Sequence, residues 1–160
     1  MLRMIMQRFQ SARNTTMSAT LATASASCRL SNESGRALLA IRGQHVVTDS
    51  PPTLGGPNEA PNPVEMLLGA LAGCAIFVCE CAAREMGIAL TAVSVTAAGD
   101  FDPRGVCGEA VDPRFQAFRL RLTLDGADAT QRELLLRAFK TRCPVYTTLS
   151  RAAPVEITLA

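Results

Sequence analysis

One long apolar stretch limits what this chain can fold into. Residues 66–79 contain no charged or strongly polar side chain. Pro63 suits the first position of a helix, where its missing N–H costs nothing, and Asn62 suits the N-cap before it. Glu65 stands where a capping box places its acceptor. The sequence therefore predicts a helix over residues 63–86 that is apolar nearly all round and buried on most of its faces.

A membrane span is the competing interpretation, because about 20 consecutive apolar residues can cross a bilayer. Here the uncharged run ends at Cys79, and Glu80, Arg84 and Glu85 follow within the same predicted helix. We therefore favour the central helix of a soluble protein and expect no membrane partner. The small residues in its first half would allow close contact with another backbone.

The rest of the chain predicts an α+β fold. Six strands are expected, at residues 25–30, 36–41, 44–48, 88–98, 118–124 and 155–159. Two further helices are expected, at residues 130–140 and 144–151. Thr130 and Glu133 match a capping box at the start of the first of these. Because one small sheet cannot cover so long an apolar helix, we expect an intertwined homodimer, with the central helices packed together and antiparallel sheets wrapped outside.

The charge distribution does not suggest a nucleic-acid partner. The net charge of the chain is only +2 at pH 7. Residues 1–24 contain Arg3, Arg8 and Arg13 and no acidic residue, which leaves 13 basic and 14 acidic residues in the remainder. Aromatic residues make up 4% of the chain, and no basic stripe is present. Nucleic-acid binding is therefore not expected.

The N-terminal residues do not resemble a secretory signal, because they lack a continuous apolar core. We expect residues 1–24 to be a disordered or loosely attached extension, with translation starting at Met17, although their acid-free composition also suits a transit peptide. Residues 25–160 then form one domain. Six cysteines without a secretory signal favour reduced thiols and a cytoplasmic location.

Two cysteines lie in short motifs that carry a family resemblance. Cys74 ends the segment PNPVEMLLGALAGC, and no bulky neighbour shields its sulfur. Cys143 lies in the segment RCPVYTTL. Together, in this order, the segments resemble the two cysteine motifs of the OsmC/Ohr family. That family comprises thiol peroxidases that reduce organic hydroperoxides, together with related stress proteins, and the resemblance extends from about residue 25 to the C-terminus.

The resemblance implies that Cys74 is the peroxidatic cysteine and Cys143 the resolving one. An organic hydroperoxide would oxidise Cys74 to a sulfenic acid, Cys143 would condense with it to a disulfide, and an external dithiol would reduce that bond. Sulfur carries the electrons, so no cofactor is expected. From the residues alone, Cys143 before Pro144 suits a helix N-cap, where free N–H groups stabilise a thiolate. The alternative is that both cysteines are small buried hydrophobes.

The family also uses an arginine that holds the peroxidatic thiolate and a glutamate that positions this arginine. In the best-known members the glutamate directly follows the helix-opening proline. Here Val64 follows Pro63 and Glu65 comes next, about 100° further around the helix. Glu65 is therefore either a catalytic residue or only a helix cap. Arg42 is our first candidate for the arginine, and Arg36 is the second.

The other cysteines are not expected to take part in catalysis or metal binding. Cys79 and Cys81 point about 200° apart around the helix, so they cannot chelate a metal together, and both are expected in the core. The sole histidine, His45, has no suitably spaced partner for a zinc site. Cys28 and Cys107 are assigned no role.

The sequence thus predicts a cytoplasmic homodimer that acts as a thiol-dependent peroxidase on organic hydroperoxides. The main alternative is a binding or stress protein that keeps the OsmC fold and its thiols but has little peroxidase turnover. A weaker third possibility is a structural dimer with inert cysteines.

Overall fold

The computed structural model describes residues 21–159, so residues 1–20 and residue 160 lie outside the described range. Most of the predicted N-terminal extension, residues 1–24, therefore falls outside it, and the expected disorder stays a prediction. Residues 21–24 are exposed and have no regular secondary structure.

The described chain has five strands and three α-helices in the order βββαββαα. The strands are β1 (Ser27–Leu30), β2 (Arg36–Ile41), β3 (Gln44–Asp49), β4 (Ala92–Asp100) and β5 (Ala117–Asp125). The helices are α1 (Pro63–Met86), α2 (Ala129–Arg142) and α3 (Pro144–Ser150). Two 3-10 turns lie in the long loops, at Pro52–Leu54 and Pro103–Cys107. The predicted α+β class is confirmed.

The strands form two separate antiparallel sheets within the described chain. β1, β2 and β3 form a meander, in which Ser27 of β1 lies opposite Ala40 of β2. β4 and β5 pair along their whole length, starting with Ala92 opposite Asp125. The long β4–β5 hairpin packs against α1, whereas the β1–β3 sheet has its main contacts within itself.

α1 begins and ends where local sequence signals predict. The Asn62 side chain accepts the N–H of Glu65 at 2.9 Å, and the Glu65 carboxylate accepts the N–H of Asn62 at 2.8 Å, which completes the capping box. At the other end Gly87 takes φ 67, a left-handed conformation that glycine adopts easily. Its N–H donates to the carbonyl groups of Ala83 and Arg84.

Within one chain, α1 is buried on a single face. This face packs on β4, α2 and α3, and its buried residues are Leu71, Ala75, Cys79, Ala82 and Ala83. Other positions of the helix stay open: Phe77 is 71% exposed, and a Cβ added at Gly69 or Gly73 would meet no neighbouring atom within 4 Å. Burial on most faces, as the sequence predicts, therefore requires a further partner.

By length and composition alone, α1 is also apolar enough to cross a bilayer. An 18-residue window within it has a mean hydropathy of 2.1. The core helices of soluble proteins meet the same criterion. The charged pair formed by Glu80 and Arg84, four residues apart with 3.8 Å between Oε1 and Nε, lies on the same helix. The central helix of a soluble protein remains our interpretation.

The start of the second helix differs from its prediction. The N-cap is Asp128 rather than a residue at the predicted Thr130 box, and α2 begins at Ala129. Asp128 accepts the N–H of Gln131 at 2.8 Å, and the Gln131 side chain accepts the N–H of Asp128 at 2.9 Å. The predicted box with Glu133 is wrong because the same pattern occurs two residues earlier with a strong N-cap residue.

One strand prediction is wrong in its start, and another is wrong altogether. The strand expected from residue 88 begins at Ala92, because the N–H of Ile88 donates to the carbonyl of Ala83 at 2.9 Å and so helps to close α1. Residues 155–159 form no strand, because their backbone has no strand partner within the described chain. The alternating apolar side chains of this segment are 82%, 87% and 99% exposed, at Val155, Ile157 and Leu159.

A buried carboxylate ties the β1–β3 sheet to the loop before α1. Asp49 is 2% exposed. Its Oδ2 accepts the N–H groups of Glu59 and Ala60 at 3.1 Å each and a guanidinium N–H of Arg36 at 3.2 Å. Burial acts to raise the pKa of Asp49, but these hydrogen bonds outweigh it and hold the pKa below its usual value. We call these four residues the Asp49 clasp.

Candidate functional site

The structure brings Cys74 and Cys143 into contact. Cys74 lies midway along α1, and Cys143 lies 69 positions later, at the junction of α2 and α3. The two sulfur atoms are 2.8 Å apart, within hydrogen-bonding distance of each other. A disulfide bond needs about 2.05 Å between the sulfurs, so an approach of less than about 1 Å is enough for the bond to form once one of them is oxidised.

Cys143 is held in place because it ends one helix and begins the next. Its N–H donates to the carbonyl of Phe139 at 3.0 Å and closes α2. Pro144 then opens α3, and the Cys143 sulfur accepts the N–H of Tyr146 at 3.3 Å. The rings of Phe139 and Tyr146 pack together with centroids 5.1 Å apart. The predicted N-cap position of Cys143 is therefore present.

The two sulfurs differ in access to solvent. Cys143 is 0% exposed, whereas Cys74 is partly exposed. A reagent that arrives from solvent therefore meets Cys74 first. A peroxidatic cysteine must be reached by its substrate, and a resolving cysteine must be reached only by the oxidised sulfur. The arrangement suits these two roles.

The Cys74 thiol is not activated by the residues around it in the single chain. Burial is the largest effect, and together with the hydrogen bond between the two thiols, which favours the protonated form of Cys74, it raises the pKa of Cys74 to about 11. A hydrogen bond from the N–H of Val145 acts in the opposite direction. Such a thiol is protonated at neutral pH, and a nucleophilic thiolate needs a cation close to the sulfur.

The structure does not bring the expected carboxylate and arginines to Cys74. The Glu65 carboxylate is engaged in the capping box. Arg42 is exposed in the turn between β2 and β3, with φ 49, rather than within a strand. Arg36 belongs to the Asp49 clasp. Over residues 21–159, no hydrogen bond or ion pair joins any of the three to Cys74, so their catalytic roles stay predictions.

A cation adjacent to Cys143 in sequence already has a partner. The Arg142 guanidinium lies 2.7 Å from the Glu85 carboxylate, near the end of α1. The other carboxylate oxygen of Glu85 accepts a hydrogen bond from the Cys81 thiol at 3.4 Å. These hydrogen bonds, from Arg142 first, hold the pKa of Glu85 below its usual value.

The remaining cysteines divide between core and surface. Cys79 is buried as predicted, and its sulfur lies 3.9 Å from the carbonyl oxygen of Leu135. Cys81 is exposed, so the prediction that it belongs to the core is wrong: the turn of about 200° from Cys79 carries it to the opposite side of α1. Cys28 and Cys107 are both exposed. Among residues 21–159, no group of three or more potential ligands is placed to hold a metal ion.

Two contributors to the site were not predicted from the sequence. The backbone N–H groups of Val145 and Tyr146, in the first turn of α3, reach Cys74 and Cys143 respectively. The Cys-Pro pair signalled the second contact, because it marks a helix start. Nothing local signalled that Cys74, on another helix, would meet the same turn.

Comparisons with known proteins give one family and one fold. The family model described as OsmC-like protein matches residues 56–158. An OsmC-like protein of Mycoplasma pneumoniae has a similar structure, with a TM-score of 0.69 and 16% identity over 82% of this chain and 89% of that one. The organic hydroperoxide resistance protein OsmC of Legionella pneumophila matches with a TM-score of 0.61 and 22% identity, over 83% and 92% of the two chains. An organic hydroperoxide resistance protein of Elizabethkingia anophelis matches with a TM-score of 0.62 and 18% identity, over 84% of this chain and 91% of that one. No curated protein sequence matches this chain.

Proposed function

Because this chain belongs to the OsmC-like protein family, we propose that it is a thiol-dependent peroxidase that reduces organic hydroperoxides through Cys74 and Cys143. One observation carries the proposal: a partly exposed sulfur and a fully buried sulfur lie 2.8 Å apart. Proteins of the same fold from Legionella and Elizabethkingia are organic hydroperoxide resistance proteins, which supports this class of substrate.

The chemistry balances with two thiols and one hydroperoxide. The Cys74 thiolate attacks the terminal oxygen of the O–O bond, forms a sulfenic acid and releases an alkoxide, which takes a proton to become the alcohol. The Cys143 sulfur then attacks Cys74, a disulfide forms and the hydroxyl group leaves as water. Because the sulfurs are already in contact, this second step needs no unwinding of α1 or α3. An external dithiol returns both thiols by exchange, and a reducing compartment such as the cytoplasm suits the cycle.

The proposal includes a homodimer, because the single chain provides neither a cation beside Cys74 nor cover for the open face of α1. Cys74 needs a cation to lower its pKa from about 11, and α1 keeps an open face around Gly69, Gly73 and Phe77. A second copy would cover this face and bring its own arginines to the neighbourhood of the thiol pair. Arg42 and Arg36 remain the candidates, now for contact across the interface.

One equivalent of cumene hydroperoxide tests the activity directly. We expect it to consume two thiols per chain and to leave a Cys74–Cys143 disulfide, found by peptide mass mapping under non-reducing conditions. Cys28 is exposed and provides an internal control, because it should keep its free thiol. Thiols that remain unreacted after this treatment would contradict the proposal.

The unactivated thiol favours one alternative function. A pKa of about 11 suits an OsmC-fold binding protein with little peroxidase turnover, provided that no cation reaches Cys74 in the assembled protein. The same treatment distinguishes the two functions. A peroxidase loses two thiols within the mixing time of a manual assay, whereas a binding protein keeps them.

Glu65→Gln is expected to leave the peroxidase rate nearly unchanged. The glutamine side chain can still accept the N–H of Asn62, and that hydrogen bond is the contact the carboxylate makes in this chain. If Glu65 instead positions an arginine of the second copy, the rate should fall roughly tenfold or more, about 1.4 kcal/mol of barrier. Steady-state rates of this variant, compared with its melting temperature, decide between the two roles.

A further inference from the structure

Arg36 is held by three carboxylates. Its Nη1 donates to Glu33 at 2.5 Å, and its Nη2 donates to Asp49 at 3.2 Å and to Glu59 at 2.6 Å. These contacts, from Glu59 first, hold the pKa of Arg36 above its usual value, so its positive charge is permanent. The Arg36 side chain is 20% exposed. Arg36 is therefore a cation with a fixed position rather than a mobile surface side chain.

Glu59 can orient the guanidinium of Arg36 because its own backbone is fixed. The N–H groups of Glu59 and Ala60 both donate to the buried carboxylate of Asp49 at 3.1 Å. The Glu59 side chain is 71% exposed, and its contact with Arg36 is shorter than that of Asp49. An exposed ion pair usually contributes little to stability, since holding two long side chains in one geometry costs entropy. Glu59 therefore matters more for the direction of the Arg36 side chain than for the stability of the fold.

Glu65 does not make this contact. Its carboxylate accepts the N–H of Asn62 in the capping box, and over residues 21–159 no hydrogen bond or ion pair joins it to an arginine. Arg42, the other candidate cation, is exposed in the turn between β2 and β3. Glu59 and Arg36 are thus a carboxylate and an arginine that the fold itself brings together at the amino end of α1.

One N–H group of Arg36 remains available to a thiolate. A guanidinium has five N–H groups. Three of them donate to Glu33, Asp49 and Glu59, and the Nε–H is buried without an acceptor in the described chain. The fifth, on Nη1, has no acceptor among residues 21–159. A hydrogen bond from this group to a thiolate would stabilise the charged sulfur and lower the pKa of the thiol.

The amino end of α1 is far from Cys74 in one chain but close to it in a twofold dimer. Asn62, which follows the Asp49 clasp, lies about 18 Å from Cys74 along the helix axis. Two copies of α1 that cross antiparallel midway between Gly69 and Gly73 place Cys74 of one copy opposite residue 68 of the other. Asn62 of that other copy is then only about 9 Å further along the axis. The Asp49 clasp of one copy therefore comes next to the thiol pair of the other.

We propose that Glu59 is a positioning residue, which directs Arg36 to the Cys74 thiolate of the second copy. The inference rests on the proposed function and on its homodimer. It gives the task of the family's glutamate to a residue in the loop before α1, because Glu65 is engaged as a helix cap. It also agrees with the small effect expected for Glu65→Gln.

Glu59→Gln should raise the pKa of the Cys74 thiol by about one unit, which lowers the thiolate fraction at neutral pH about tenfold. The sign of the shift is diagnostic. Removing a negative charge near a thiol lowers its pKa if charge alone acts, whereas losing the position of Arg36 raises it. The measurement is the pH profile of Cys74 alkylation by iodoacetamide, read by peptide mass mapping. Glu109→Gln is the matched control, because Glu109 is also an exposed glutamate beside an arginine, and it should leave the profile unchanged.

Arg36→Gln tests whether Glu59 acts through Arg36. The change removes the charge but keeps a hydrogen-bond donor for Asp49, which also retains its two backbone N–H bonds. It should raise the pKa of Cys74 at least as much as Glu59→Gln does, and the double variant should raise it no further. Melting temperatures show that each variant is folded, and the exposed side chain of Glu59 makes Glu59→Gln informative by itself.

A mixed dimer shows which copy supplies Arg36. Cys74→Ser and Arg36→Gln proteins are combined in equal amounts, dissociated and reassembled. About half of the remaining Cys74 thiols then face a copy with an intact Arg36. These thiols should regain the alkylation profile of the unaltered protein.

Three results would overturn the proposal. One is a Glu59→Gln profile that is unchanged or shifted to lower pH, and another is an Arg36→Gln profile equal to that of the unaltered protein. The third is a mixture in which no Cys74 thiols are restored. The readout is alkylation of Cys74 rather than turnover, whereas the cumene hydroperoxide treatment tests the peroxidase itself, so a failure of this proposal is distinguishable from a failure of the proposed function.

Discussion

Cys74→Ser is expected to reduce peroxidase activity to the uncatalysed background, a loss of at least about a thousandfold, or about 4 kcal/mol of barrier. Serine keeps the size of the side chain but cannot be oxidised by a hydroperoxide as a thiolate is. Cys74 is also the partly exposed sulfur of the pair, so no other thiol at this site can take its place. The measurement is the steady-state consumption of cumene hydroperoxide with dithiothreitol as reductant.

Cys143→Ser provides the complementary result. One round of oxidation should still occur, but the sulfenic acid at Cys74 should persist and be trapped by dimedone, because the buried resolving thiol is missing. Cys28→Ser is the control, since this exposed cysteine lies on β1. Activity that survives Cys74→Ser, or a dimedone adduct at a cysteine other than Cys74, would rule out the mechanism.

Gly73→Leu is expected to dissociate the proposed homodimer. In the single chain the new side chain would enter open space, since a Cβ at Gly73 meets no neighbouring atom within 4 Å. Leucine also favours a helix over glycine by about 1 kcal/mol, so an isolated chain would become more stable. If a second copy packs its backbone on this face, overpacking at about 1–3 kcal/mol in each copy weakens the interface instead.

A size series at this position separates the two cases. Gly73→Ala adds one methyl group and Gly73→Leu a full side chain, so dissociation should increase from the first to the second. Sedimentation at several protein concentrations gives the oligomeric state, and thermal unfolding gives the stability. A folded monomer in the unaltered protein, or two variants that are both simply more stable, would contradict the dimer.

The parts of the fold that could be predicted from the sequence depend on neighbouring residues. The limits of α1 follow from Asn62, Pro63 and Glu65 at one end and from the glycine after Met86 at the other. The N-cap role of Cys143 follows in the same way from Pro144. In each case the decisive hydrogen bonds join residues within one turn of helix.

The predictions that failed depend on contacts between distant segments. The alternation of residues 155–159 is typical of a strand, but a strand forms only where another strand offers its backbone groups. Cysteine is a residue type that is usually buried, which is why Cys81 was expected in the core. Whether its side of α1 is covered, however, depends on which elements pack there. The order of Arg42 before Arg36 stays a prediction, because local sequence does not specify which cation approaches Cys74. These are properties of the assembled fold.

The positions of Cys74 and Cys143 link the proposed redox cycle to the free energy of unfolding of the domain. They are 69 positions apart, and the intervening chain contains β4, β5 and α2. A covalent bond between them would close a loop of this length and reduce the entropy of the unfolded chain, by about 4 kcal/mol in the loop-closure estimate. That is a large part of the roughly 5–15 kcal/mol by which a typical domain is stable. Each oxidation would thus stabilise the folded domain by linking α1 to the junction of α2 and α3. Each reduction would remove this stabilisation, so the dithiol that restores the catalyst would also make the protein easier to unfold.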